Sequence, residues 1–448
     1  MRARPLAAAV MVGMLCDGLS SQDGSRWLTA PQRDSRRSAT GAASASVSGD
    51  GRYVAFTSYA RLTSADVDAL ADIYVLDRST ATVTLESAVA DGRPLNSDCT
   101  HPRISADGRY VAFEAIPTDD SERSEMAIVL RDRVENTGRR IALAPGGVIP
   151  NGSSGQPDIA ASGSTIVFAS AATNLVPEDL NGSHADIYRV DLASNRVERI
   201  SVDTRGVQQQ GASQSPSVSG DGRYVVFASM AALGAPREGP APAVGRRPYP
   251  TIYLRDTRAG RTTPIGGPAG LPDDSSTMPV VSADGRFVAF ASRATNLVPR
   301  DRNRSSDVFL YEIETAALTL VSRAAGGGPA NGASLTPAIS ADGRFVAFQS
   351  DASDMACARD CRPASEDINL LPDVFIFDRL NGQISPVSLS RHGPWMEESA
   401  APAIDANGTV VAFTSRHPIS PLDVLNDFDL FVRGPSLEPV TAAAGKFH

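Results

Sequence analysis

Ser105-Ala106-Asp107-Gly108-Arg109-Tyr110-Val111-Ala112-Phe113 decides the fold, because the chain repeats it. Close versions stand at Asp50-Gly51, Ser162-Gly163, Asp221-Gly222, Asp284-Gly285, Asp342-Gly343 and Asn407-Gly408, each followed by a short apolar run ending in Phe. Successive glycines lie 57, 55, 59, 63, 58 and 65 residues apart. Self-similarity at such a period marks a repeat architecture before any local assignment is made.

Each copy reads as four short strands. In the fifth they are Met278–Ser282, Arg286–Ser292, Asp307–Tyr311 and Leu318–Ser322. The Asp-Gly pair between the first two is a hairpin signal, since glycine accepts the positive φ of a tight turn and the Asp side chain bonds nearby backbone. The second strand places Phe56, Phe113, Phe168, Phe227, Phe290, Phe348 and Phe413 at one equivalent position, with Val and Ala beside them. A strand apolar on both sides needs cover on both faces. The third strand repeats Tyr74, Val129, Tyr188, Tyr253, Phe309, Phe375 and Phe431 in the same way. The chain is therefore read as all-β, a seven-bladed β-propeller of four-stranded antiparallel blades. The propeller spans residues 26–441, with blades starting near 44, 101, 156, 215, 278, 336 and 401. Arg26–Ala30 and Leu437–Thr441 compete to supply the strand that closes the ring, although Pro439 suits only an edge.

The run Pro-x-Ile-Ser-Ala-Asp-Gly-Arg-Phe-Val-Ala-Phe-x-Ser at Pro337–Ser350, with small changes at Pro102 and Pro279, resembles the TolB-type propeller repeat, a relative of WD repeats. Repeats three and seven depart from it, with Ser162-Gly163 and Asn407-Gly408 in place of Asp-Gly. The resemblance implies a stand-alone propeller that binds rather than reacts: neither the α/β domain of TolB nor the hydrolase domain of prolyl oligopeptidase relatives is expected beside it.

The formal charge of -9 and the lack of a basic stripe argue against a nucleic-acid partner. Residues 1–25 have the layout of an export leader, with Arg2 and Arg4 ahead of an uncharged run from Pro5 to Leu15. Cys16 offers a lipoprotein-type anchor, against which Leu15 stands where such a signal has a small residue. A monomeric protein is expected in the periplasm, at the outer membrane or outside the cell, with residues 442–448 as a tail. Cys357 and Cys361 could close a small disulfide loop, leaving Cys99 free.

Strand order separates a tight-turn face from a loop-rich face, and a site is expected on the latter. Its loops carry a second repeat: Asp66-x-Asp68-x3-Asp72, Asp179-x-Asn181-x4-Asp186, Asp301-x-Asn303-x3-Asp307 and Asp367-x-Asn369-x3-Asp373. The seventh copy keeps Asp423 and Asp429 around Leu425, and Ala127 and Thr251 replace the last Asp in copies two and four. Such oxygens suit Ca2+, but turn-capping by Asx side chains is the preferred reading. Gly-x-Ser-x-Gly is absent, and the five histidines lack metal-ligand spacing. Of these only His184, inside the second of these loops, draws notice. No catalytic residue or organic cofactor is assigned. The expected function is a binding scaffold for a protein or an envelope glycan; the alternative is a glycan-cleaving lyase or hydrolase, which acidic, Arg and His side chains clustered at the channel mouth would favour.

Overall fold

In the computed structural model, residues 26–27, 42–88, 93–118, 125–141, 143–234, 249–299, 301–324, 326–355, 371–388, 398–416 and 429–433 are described. The leader, Cys16, Cys357, Cys361, Asp367, Asn369, Asp423, Leu437–Thr441 and the tail lie outside them. Cys99 is free and buried.

Seven four-stranded antiparallel sheets form, six from consecutive strands. The seventh takes its first three strands from Ser399–Ile404, Val411–Ser415 and Asp429–Arg433, and its fourth from Arg26–Trp27, which pairs with Val432 and Phe431. The N-terminal segment thus closes the ring.

The aromatic positions explain the layering. Phe56, Phe113, Phe168, Phe227, Phe290, Phe348 and Phe413 stand directly opposite Tyr74, Val129, Tyr188, Tyr253, Phe309, Phe375 and Phe431. In the six aromatic pairs the ring centroids lie 5.7 to 6.0 Å apart, within the range of favourable ring contacts. Each core is shared between neighbours: Phe168 and Tyr188 of blade three pack with Ala112, Ile128 and Leu130 of blade two.

The repeated Ser-x-Asp-Gly is a turn. Ser105 Oγ donates to Asp107 Oδ1 at 2.5 Å, Arg109 N–H donates to the same oxygen, and Tyr110 N–H donates to Ser105 Oγ. The Arg that follows grips the end of the third strand, as in the pairs Arg52–Asp77, Arg109–Asp132, Arg223–Asp256 and Arg344–Asp378. Blade seven, with Asn407 in place of the Asp, shifts the cap to Asp405, which accepts from the N–H groups of Thr409 and Val410.

Candidate functional site: a funnel along the ring axis

The innermost strands are Ala42–Val47, Ser97–Ile104, Ser154–Ile159, Ser213–Val218, Ser276–Val281, Ser334–Ile339 and Ser399–Ile404. They begin two residues ahead of the starts read from the sequence, and four ahead in blade two. The sequence starts mark something else. Ser44, His101, Gln156, Ser215, Met278, Thr336 and Ala401 all have positive φ, between 37° and 54°, and each inner strand shifts register there. A left-handed residue opening a bulge re-aims its side chain, and six of the seven precede proline. All seven line a cavity of about 580 Å³ on the ring axis.

The gap between neighbouring inner strands grows along this cavity, as the bridging groups show. At the tight-turn end backbone meets backbone. Gly49 N–H donates to Ala106 O, Ala106 to Ala161, Ser162 to Gly220, Gly220 to Ala283, Asp284 to Ala341, Ala341 to Ala406, and Ala406 back to Gly49, at 2.9 to 3.3 Å. One layer up, short side chains span the gap: Ile104 N–H donates to Ser46 Oγ, Val218 N–H to Asp158 Oδ2 and Val281 N–H to Ser217 Oγ. At the loop-rich end longer side chains are needed. Gln156 Oε1 accepts from Ser215 N–H at 2.7 Å, and Glu114 Oε1 accepts from Gln156 N–H at 2.6 Å. The channel is a funnel that opens toward the loop-rich face.

Its wall is two-sided. Blades one to four contribute Ser46, Arg103, Asp158 and Ser217 at the middle layer, whereas blades five to seven contribute Val280, Ala338 and Ala403. The polar arc is organised around Glu114, on the second strand of blade two, Tyr110–Pro117. Its carboxylate takes hydrogen bonds from Gln156 N–H, Thr100 Oγ1 and His101 Nδ1, the last at 2.8 Å. Burial works against its charge, but these bonds prevail and hold the carboxyl below its usual range. Glu114 is 6% exposed while His101 is 62% exposed. With Nδ1 held by Glu114, Nε2 is the imidazole nitrogen left for a ligand. Beside them Arg103 Nε lies 3.7 Å from Asp158. Burial pushes the Asp158 carboxyl up, against the pull of Arg103 and of the Val218 N–H.

The loop motif is also resolved into parts. Its last Asp clamps the blade: Ser87, Ser201, Ser322 and Ser388 donate to Oδ1 of Asp72, Asp186, Asp307 and Asp373, and accept from the N–H one residue after each Asp. Asp66, Asp68 and Asp72 come together, one oxygen of each lying within 4.8 Å of the others. Around Asp186, Gln208 Nε2 bridges Asp179 Oδ1 and Asp186 Oδ2. Asn303 Nδ2 likewise donates to Asp307 Oδ2, while Asn181 Oδ1 and Asp301 Oδ1 are buried without a donor. His184 is exposed and bonded to the Asn181 carbonyl, away from the cavity lining. The sequence reading passed over His101 and Glu114, because 13 residues separate them and only strand register brings them together. A polar residue before the inner-strand proline was the available signal.

No protein-family model and no curated protein sequence matches the chain. Among solved structures, the β-propeller domain of the Trilobed protease from Pyrococcus furiosus, with an open velcro topology, is similar at TM-score 0.54 and 13% identity, over 90% of this chain and 98% of that one. The chain is a β-propeller. An oligogalacturonate lyase in complex with manganese is similar at TM-score 0.51 and 14% identity, over 87% of each chain. TolB from Acinetobacter baumannii gives TM-score 0.42 and 16% identity, over 81% of this chain and 65% of that one, so the chain spans less than two thirds of that relative. The seven-bladed ring is the fold that the TolB-type repeat implies. Among the described residues no helix is long and apolar enough to cross a membrane.

Proposed function

We propose that this propeller is an exported binding scaffold whose ligand enters the funnel from the loop-rich face. The observation that carries this reading is the two-sided middle layer of the wall, polar on blades one to four and apolar on blades five to seven. An extended ligand with one polar and one apolar edge suits it, such as a polypeptide end or a glycan chain of the cell envelope. Concave sites that combine apolar lining with a few convergent polar groups are the usual form of ligand pockets. Affinity capture from an envelope fraction tests it, with wild type beside Ala401→Trp, which fills the mouth from the apolar side. Recovery of a partner by wild type alone is the expected result. No partner, or equal recovery by both, would sink the reading.

The pair His101 and Glu114 favours a second reading, a glycan lyase or hydrolase. A solvent-facing imidazole oriented by a buried carboxylate is arranged as a general base, and Arg103 could neutralise a uronate carboxylate nearby. In a lyase step His101 Nε2 would take the proton α to that carboxyl, a double bond would form to the β carbon as its glycosidic C–O bond breaks, and the departing oxygen would take a proton from solvent. Uronate oligosaccharides incubated with the protein would then gain the ultraviolet absorbance of an unsaturated end, and His101→Ala would not produce it. No absorbance together with intact binding leaves the scaffold reading in place.

A further inference from the structure

Blade one differs from blades three and five at the same structural position. Asp72, Asp186 and Asp307 are equivalent by register, facing Ser58, Ser170 and Ser292 at the end of the second strand. Each spends Oδ1 on the serine clamp described above. Oδ2 accepts from a neutral amide in two of the three, from Gln208 in blade three at 2.5 Å, where Arg199 Nε also lies 3.5 Å away, and from Asn303 in blade five at 2.9 Å. Blade one has neither amide. The residue matching Asn303 is Asp68, and the bridge Val202 to Gln208 corresponds to the bridge Ala88 to Pro94, so proline stands where the glutamine would be.

Asp72 is fully buried, and its Oδ2 has no hydrogen-bond partner. Two further carboxylates replace the missing donors, Asp66 (6% exposed) and Asp68. Asp98 adds a fourth negative charge against Asp72 while accepting the Ala71 N–H at 2.9 Å. A buried carboxylate among others, with an acceptor left open, needs a donor or a cation. All the available ligand atoms are hard oxygens on a short loop, the donor set of Ca2+.

We infer that Asp66, Asp68 and Asp72 bind one divalent hard cation, Ca2+, in blade one, whereas the corresponding loops of blades three and five are closed by Gln208 and Asn303 and bind none. The site lies on the seam between blades one and two, because Asp98 belongs to the strand Ser97–Ile104 that carries His101 three residues later. This inference is independent of what the funnel binds.

Calorimetric titration of CaCl2 into the chelator-treated full chain, with thermal melts in Ca2+ and in chelator, tests it. Expected are one binding event and a melting temperature raised by a few degrees in Ca2+. Asp68→Asn recreates the blade-five arrangement, so it is expected to keep or raise the melting temperature in chelator and to lose the Ca2+ shift. Asp179→Asn, in blade three, is expected to retain the full shift. Absence of heat with wild type, a shift that survives Asp68→Asn, or one abolished by Asp179→Asn would each overturn the assignment. Mg2+ giving the whole effect in place of Ca2+ would overturn the choice of ion.

Discussion

A Cβ added to Gly285 would stand 2.8 Å from the Tyr224 ring of the preceding blade. The Asp-Gly turn that defines the repeat is therefore also an inter-blade contact: the bare glycine of one blade lies against the first residue of the second strand of the blade before it. The same holds for Gly163 against Tyr110. It explains why the aromatic after the Arg recurs along with the glycine.

Gly285→Ala combines an unfavourable φ of +70° with this clash, and overpacking of this kind costs about 1–3 kcal/mol. Gly260 has φ +65° but nothing within 4 Å of the added methyl. In denaturant melts Gly285→Ala is expected to lose clearly more stability than Gly260→Ala. Equal losses would show that the turn conformation alone sets the cost.

Glu86 is buried between two arginines, Arg131 Nε at 3.4 Å and Arg133 Nε at 2.9 Å. Arg131 has a side chain only 6% exposed, so removing the carboxylate leaves a buried charge without its counterion. Glu86→Ala is expected to cost about 3–5 kcal/mol, read from chemical denaturation. Replacing an exposed partner, as in Arg52→Ala opposite Asp77, should cost far less, because solvent screens such a pair.

Stability is expected to peak near pH 4 and to fall on both sides of it. The Arg partners hold Asp77, Asp132, Asp256 and Asp378 below the usual carboxylate range. Their contribution is present above the unfolded value near 4 and is lost as the pH falls through the folded values. Asp307 runs the other way, because burial raises it to about 7. Its charged form is disfavoured in the fold, so stability falls as the pH rises from about 4 through 7. Thermal melts in chelator across this range check both limbs, and Asp307→Asn should make the upper limb shallower while leaving the lower one unchanged.

Deleting residues 1–41 removes the outer strand of blade seven. The lost ladder is two residues long, so the expected cost is about 1–3 kcal/mol, with amide exchange quickened first in Asp429–Arg433. Unchanged exchange there would mean that another segment covers the edge.

The fold was legible because its signals are local and repeated seven times: an Asp-Gly turn, and a Phe whose cross-strand partner is again aromatic or aliphatic. The site was less so. Whether Ser44, His101 and their equivalents lie in the strand or open a bulge depends on a backbone conformation that residue type does not announce. His101 meets Glu114 only through pairing across the bulge. The four Asp loops look alike in sequence, yet Gln208, some two dozen residues beyond Asp186, separates blade three from blade one. The difference between Asp68 and Asn303 is plain in the sequence, but its meaning requires knowing that they face equivalent buried carboxylates, Asp72 and Asp307.

Six blades are each made from one contiguous stretch of chain, so each can form its hydrogen bonds as soon as that stretch is available. The seventh cannot, because Arg26–Trp27 must wait for Asp429–Arg433. Until then the inner strands make an open arc, and the seven-membered cycle of backbone bonds at its narrow end lacks its last links. During synthesis the funnel is thus assembled last, after the whole core of blades one to six has been laid down. A closed funnel belongs to the completed ring and not to any growing part of it.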